Sequence, residues 1–328
     1  MNRRAPLSCP VIPDLPRELR ALLAQIPAGW VTTFGDLAEA LGDITAARWI
    51  ARELPNHSDV PWHRVVKRTG ELIDIVTERG GVQRQRLASE GIVFNGEGCI
   101  DLAPVRWKDF RCDAPLRHLA DWQTELALRA DGTTDVAVPA VIAGLDVSYI
   151  SDREAVAAYV EIDVVTGSTV FTATHRAAIE FPYLTGYLTF RELPIHLALI
   201  EQVRRAKPLA KVILVDGAGQ LHPRRSGIAV AVGVVADCVT VGVAKHRLCG
   251  RPVSDDCEPL LELHGAIAGQ SLIGTTSRKP LQVSPGHGLS LISAVACVRA
   301  VWKQGRTPIP IREADALSRR VAKSVVTG

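Results

Sequence analysis

In the first hundred residues, apolar positions recur at helical spacing in short bursts broken by glycine or proline. LPRELRALLAQIP carries leucines three and four apart and stops at Pro27. WVTTFGDLAEALG opens on threonines suited to cap a helix and ends at Gly42, and ITAARWIARELPN follows after a very short turn. Two short helices joined by a tight glycine-containing turn form the pattern of a helix-turn-helix, one that helical hairpins without DNA contacts share. Past Trp107 the texture changes. WKDFRCDAPLRHL is charged, proline-bearing and without period, which predicts a linker over Lys108–Pro115 between domains at 1–107 and 116–328. RHLADWQTELALRA reads as a helix, and VAVPAVIAGLDVSYI, AVAAYVEIDVVTG and STVFTATHRAAI read as strands. A helix (LPIHLALIEQVRRA), a strand (KVILVDG), a helix (GIAVAVGVVAD), a strand (VTVGVAK) and a late helix (LSLISAVACVRAVWK) follow. Three strands in a row and then alternation predict a mixed α/β sheet.

Bulk properties narrow this picture modestly. At 328 residues, length suggests two domains, and 47% hydrophobic with 22% charged residues is globular composition. The longest apolar run, GIAVAVGVVADCVTVGVA, is interrupted by Asp237 and glycines, so no transmembrane helix is expected. The N-terminus has two arginines but prolines where a secretory leader needs an apolar run. Seven scattered cysteines, an odd number with no CxxC pair, predict reduced thiols and a cytoplasmic protein. A formal charge of +3 permits nucleic-acid binding without requiring it.

Carboxylates carry the candidate chemistry. Asp146 stands in the apolar strand VIAGLDVSYI, where an unpaired charge is costly to bury. Asp216 ends the strand KVILVD just before glycines, and Glu192 stands at the start of a helix in LTFRELP. Taken singly, such residues are turn or cap residues. Three together at element ends are what a hard divalent cation requires. Lys245 ends a strand, and His287 sits where a Pro-Gly turn is expected to lead into a helix. Beside a metal, an ammonium stabilises phosphate charge and an imidazole positions water; without one, both are ordinary element-end residues. HPRR adds a compact basic patch.

GLDVSY, PYLTGYLTFRELP, DGAGQLHPRRSGIA, VGVAKHRLCG and SPGHGLSL, in this order, resemble the motif set of endonuclease V over roughly Pro115–Lys323. That resemblance implies a ribonuclease-H-like mixed-sheet α/β/α domain and Mg²⁺-dependent cleavage of the second phosphodiester bond 3′ of a hypoxanthine base, with Mn²⁺ as a substitute ion. It implies Asp146, Glu192 and Asp216 as metal carboxylates and Lys245 and His287 as catalytic neighbours. Tyr183 falls on the family's wedge, an aromatic ring that fills the space of an extruded base. Thr185 stands where the family often has a second proline. Gly186, Leu188, Gly217, Gly219 and His222 fall on the pocket for the flipped base.

IPAGWVTTFGDLAEALG, AARWIARELPN, PWHRVV and LASEGIVF resemble the winged-helix-type DNA-binding domain of O6-alkylguanine-DNA alkyltransferases over about Leu15–Trp107. In those enzymes the PxHRV box carries the acceptor cysteine. Here Trp62 takes its place, which marks the alkyltransferase-like proteins that bind alkylated guanine and leave it unrepaired. An indole offers no thiolate for such chemistry. By the same resemblance Phe34 (in place of a tyrosine), Arg48, Trp62 and Arg64 recognise alkylguanine, Arg48 entering the duplex as the nucleotide leaves. Asn56, His63 and Glu90 match the positions around the missing cysteine. The other reading of the box is a tryptophan in a small core beside a structural His and Arg. The expected partner is damaged DNA, with no membrane. Alternatives are an inosine-directed ribonuclease, a non-catalytic damage sensor and a repair enzyme using another cysteine.

Overall fold

A computed structural model describes residues 9–73, 79–276 and 279–327. The chain divides into two compact units, one formed mainly by Ile12–Leu119 and the other by Ala120–Pro182 with Gly186 onward. None of the described helices is long and apolar enough to cross a membrane.

In the first unit α1 (Leu15–Leu23) starts at Asp14, whose carboxylate accepts the Arg17 N–H, and buries Leu15, Leu19, Leu22 and Leu23. β1 (Thr32–Thr33) leads into α2 (Phe34–Leu41) through a reciprocal cap: Thr33 Oγ1 accepts the Asp36 N–H while Asp36 accepts the Thr33 N–H. Gly42, at φ 102°, ends α2 in the left-handed conformation that favours glycine. A single 3₁₀ turn separates it from α3 (Ala47–Glu53), giving the expected helix-turn-helix. β2 (Val65–Val66) pairs in parallel with β1, and α4 (Arg79–Ser89) follows. Val31, Val66, Leu87, Ile92 and Ile100 form a core behind this ladder. Residues 108–114 are irregular, and the division between units falls just after them, within α5 (Pro115–Arg129).

The second unit continues with β3 (Val141–Ser151), β4 (Glu154–Asp163), β5 (Thr169–Ala178), α6 (Leu188–Ala206), β6 (Val212–Asp216), α7 (Ile228–Ala236) and β7 (Thr240–Ala244). Then come β8 (Arg251–Pro252), β9 (Leu260–Leu263), β10 (Ala266–Leu272), β11 (Leu281–His287), α8 (Leu291–Ala300) and α9 (Ile309–Thr327). Among the described residues the strands form one sheet in the order β5-β4-β3-β6-β7-β11-β10-β9-β8. β3, β6 and β7 are parallel at its centre, with antiparallel strands outside them.

Alternation assigns the two faces. Ile142, Val212, Leu214, Val241 and Val243 share one core with Ala294, Cys297 and Val298 of α8 and Ile311 of α9. Thr240 points the other way, where its hydroxyl donates to Ala229 O of α7 at 2.7 Å. Helices therefore cover both faces, with α6 against α7 on the second. This is the expected α/β/α layering.

Two stretches depart from the sequence expectation. The SPGH segment is strand, not turn: Pro285 and Gly286 lie within β11, at a bulge against β7. A Cβ on Gly286 would fall 2.3 Å from Thr240 Oγ1, so glycine serves close strand packing there. The other is α9 together with β8–β10, for which no element was expected. α9 buries Ile311, Ala314, Ser318 and Ala322 at three- and four-residue spacing, a helical period that was a readable signal.

α9 seats directly on β3 at Gly144, where a Cβ would fall 2.2 Å from the Pro310 carbonyl oxygen. Backbone cannot swing aside as a side chain can. Gly144→Ala is expected to destabilise the second unit by about 1–3 kcal/mol, read as an earlier urea midpoint.

Candidate active site

The register of the parallel strands determines where the carboxylates meet. Leu145 of β3 pairs with Val215 of β6, so Asp146 and Asp216 follow at the same level of adjacent strands. Both continue the even-numbered face that carries Ile142, Leu214 and α9. Lys245, one residue past β7, continues the Val241–Val243 face on the same side. The three side chains thus converge where β6 and β7 end beside the middle of β3, on the carboxyl side of the parallel strands, the usual position of a ligand crevice in an α/β sheet.

Their contacts are direct. Asp146 is 6% exposed and lies beside Asp216 on the adjacent strand. Burial pushes its carboxyl up to about 8, and the Asp216 charge adds to this. The Ser318 hydroxyl of α9 donates to Asp146 Oδ2 at 2.9 Å and accepts from Ser148 at 2.8 Å. Lys245 Nζ donates to Asp216 Oδ2 at 2.5 Å. Burial works against the Lys245 charge, but Asp216 and Asp146 together raise its value above the ordinary one.

Glu192 approaches from α6, on the opposite face. Its Oε1 accepts from the Tyr149 hydroxyl at 2.6 Å. Burial pushes Glu192 up to about 7, with Asp216 adding and the Tyr149 hydrogen bond opposing. The Arg191 guanidinium lies 4.5 Å from the Tyr149 ring centre and donates to Phe181 O at 2.7 Å and Asp152 O at 3.1 Å. A cleft of about 700 Å³ joins Asp146, Asp216, Glu192, Leu188, Lys245 and Asp315. Asp315 is half-buried on α9 and accepts from Arg319 Nε at 2.9 Å.

Such an all-oxygen donor set suits a hard cation, and the contact between two carboxylates is a charge conflict that a cation would relieve. Asp146 and Asp216 fit that role as they stand. Glu192 does not close with them: among the described residues no three His, Cys, Asp or Glu side chains gather as ligands of one ion.

His287 lies elsewhere. It pairs with Thr240 at the start of β7, the end remote from Lys245, and its Nδ1 accepts the Asp131 N–H at 3.1 Å. Burial lowers its value. Tyr183 is 53% exposed in the loop before α6, whereas Tyr187 is fully buried. His222 and Gly186 adjoin, with His222 Nε2 3.1 Å from Gly186 O. Gly217 and Gly219 are packing glycines. A Cβ would meet Ile228 Cγ2 at 2.4 Å in the first and Pro285 O at 2.2 Å in the second. Arg224 of the HPRR patch turns inward onto Gly186 and Gln123 rather than standing free. Tyr149, Ser318 and Asp315 were not among the expected site residues. Tyr149 lies inside the GLDVSY motif, and Asp315 with Arg319 makes an i,i+4 pair whose spacing was a readable signal.

In the first unit Arg48 is exposed on α3, and Phe34 is half-buried at the start of α2. Trp62 is 7% exposed, with the Arg86 guanidinium 5.9 Å from its ring centre. Arg64 is committed: it donates to both oxygens of Glu90, by Nε at 2.9 Å and Nη2 at 2.8 Å, and to Ile26 O at 2.6 Å. Burial raises the Glu90 carboxyl, but Arg64 and His63 bring it down to about 2. Arg64 therefore holds the box in place and has little left to offer a ligand. Asn56 is exposed.

Two family descriptions match the chain: Endonuclease V over residues 123–316, and the DNA binding domain of 6-O-methylguanine DNA methyltransferase over residues 14–92. A bifunctional methyltransferase/endonuclease of Thermoplasma volcanium is 32% identical over 86% of this chain and 82% of its own. Endonuclease V of Xylella fastidiosa is 35% identical over 64% of this chain and 89% of its own. Ciona intestinalis endonuclease V, solved with a 24mer DNA containing an inosine, is 26% identical with a TM-score of 0.59, covering 65% of this chain and all of that one.

The raised carboxyls give a signed pH dependence. Unfolded, Asp146 and Glu192 titrate near 4; folded and metal-free, they titrate at about 8 and about 7. Their contribution to stability is full below the unfolded value and is lost as pH rises through 7–8. In chelator, thermal unfolding is expected to shift down between pH 5 and pH 9. Asp146→Asn should shift less and exceed the parent in stability at pH 9.

Proposed function

Because the chain belongs to the endonuclease V family and carries an alkyltransferase-type DNA-binding unit ahead of the nuclease, we propose that it is a DNA repair endonuclease for deoxyinosine. On this reading it nicks the second phosphodiester bond 3′ of the flipped base with Mg²⁺, and its first unit recognises O6-alkylguanine without accepting the alkyl group. The nuclease assignment rests above all on the side-by-side carboxylates of Asp146, in the middle of β3, and Asp216, at the end of β6. The DNA assignment draws on the inosine-containing DNA bound to the Ciona relative.

Asp146 and Asp216 would hold the cation, with Glu192 as a third oxygen donor whose second oxygen Tyr149 fixes. Bound there, Mg²⁺ supplies a Lewis acid and an acidified water. The chain's own residues do the rest. Ser318 orients Asp146, and the Lys245 ammonium, already at Asp216, stands where charge develops on the attacked phosphate. Tyr183, exposed in its loop, is available to fill the stack when the base leaves. Gly186, Leu188 and His222 would line the base pocket, and Gly217 and Gly219 would shape the loop behind it.

In the first unit Trp62 would put an indole where a nucleophile is needed, and Arg48, exposed on α3, would enter the duplex. Phe34 would crowd the phosphate backbone. Joining two lesion-seeking units raises the local concentration of one at damage found by the other.

Nicking of duplexes that carry hypoxanthine, O6-methylguanine or neither tests both units. Hypoxanthine strands should be cut and adenine controls left intact. Asp216→Asn should lower the rate by about a hundred- to a thousandfold. Comparing single-stranded RNA and DNA with the same base separates the ribonuclease alternative. O6-methylguanine should tighten binding, and label on its methyl group should stay on the DNA. Transfer to protein would refute the non-acceptor role of the Trp62 box.

A further inference from the structure

β3 outruns one of its neighbours. Its pairing with β6 ends at Leu145–Val215, whereas its pairing with β4 continues to Ser151. Past Asp146 the strand therefore has a strand partner on one side only, among the described residues, and that partner sets the small Ala155 opposite Tyr149. Tyr149 lies three residues past Asp146, on the α6 side with Glu192. Its ring is left 40% exposed, in the wall of the cleft that holds Asp146, Asp216 and Glu192.

An exposed aromatic ring is common and by itself signals nothing. This one is fixed in place. Its hydroxyl donates to Glu192 Oε1 at 2.6 Å, and the Arg191 guanidinium lies 4.5 Å from the ring centre. Arg191 is held in turn: it is 7% exposed, with Nη1 donating to Phe181 O at 2.7 Å and Nη2 to Asp152 O at 3.1 Å. A cation against one face of the ring leaves the other face for the cleft. A surface side chain usually loses rotamer freedom when it binds, and here that loss has already occurred on folding.

We propose that the Tyr149 ring is a stacking platform for a nucleobase that flanks the scissile phosphate. Every base has a π-face, so stacking tolerates sequence, and a purine overlaps a phenol ring more than a pyrimidine does. The contact with Glu192 puts the ring beside the carboxylates, within reach of the nucleotides on either side of the bond to be cut. Stacking there holds the strand across Asp146 and Asp216 while the hydroxyl holds Glu192. The inference rests on the reading that the cleft takes a nucleic-acid strand at those carboxylates.

The test is kcat/KM on hypoxanthine-containing strands that carry a purine, a pyrimidine or a stable abasic analogue, first on the 5′ and then on the 3′ side of the cut. At one of the two positions the parent should fall in that order, by about tenfold from purine to abasic. Tyr149→Phe keeps the ring and loses the Glu192 contact, so its rates should drop on every strand while the purine-to-abasic ratio stays parental. Tyr149→Leu loses both, and the ratio should collapse to near unity. Tyr149→Ile, β-branched and suited to a strand, carries the test if Tyr149→Leu does not fold. A parental ratio in Tyr149→Leu at both positions would leave the ring merely structural and overturn the inference. A ratio lost in Tyr149→Phe as well would assign the effect to the hydroxyl and overturn it too. A parent protein that cuts no hypoxanthine strand would instead overturn the functional reading, and the platform with it.

Discussion

Two largely buried carboxylates meet where β6 ends beside the middle of β3, and much of the second unit is arranged around that unfavourable contact. Like charges at this distance cannot both ionise without help. The helices, the lysine and the serine around them each supply part of it. Lys245 gives Asp216 a counter-charge, and Ser318 gives Asp146 a donor. α9 can come close enough to do so because Gly144 lets its backbone touch the sheet. A cation would complete the neutralisation, so the fold stores an electrostatic cost that ligand binding converts into affinity.

Glu192 belongs to a different layer, and this matters for how the site works. The Asp pair and Lys245 lie in or directly after central strands, whereas Glu192 comes from α6 and is tied by Tyr149 to Arg191. Arg191 in turn holds the carbonyl of Phe181, two residues before Tyr183. The helix that carries this carboxylate is therefore braced to the base of the loop that presents the exposed aromatic ring.

The first unit keeps a closed Arg64–Glu90–His63 network next to Trp62. A thiol would need such a network to become reactive; an indole does not. Here the ion pair maintains the turn on which Trp62 sits, and a buried pair of this kind is costly to break from one side.

Local order in this protein was legible from residue pattern. The Thr33–Asp36 cap, Gly42, the leucine spacing of α1 and the β-branched runs of β3, β6 and β7 act over a few residues, and each formed as its sequence implied. The motifs also carried Asp146, Asp216 and Lys245, because a charge inside or at the end of an apolar run is a local signal. Tertiary packing alone decided the rest. Parallel register aligned Asp146 with Asp216, since nothing in either strand encodes its partner's level. α9 has a readable helical period, but its alanines and serine acquired their role only against Gly144 and Asp146. Pro285 and Gly286 read as a turn because those residues break regular pairing in isolation, yet a neighbouring strand absorbed them as a bulge. That displaced His287 to the far end of the sheet. Contacts between residues far apart in the chain, such as Gln123 with Gly186 and, 101 residues away, Arg224, leave no periodic trace along the chain, so only the folded molecule could bring them to one carbonyl oxygen.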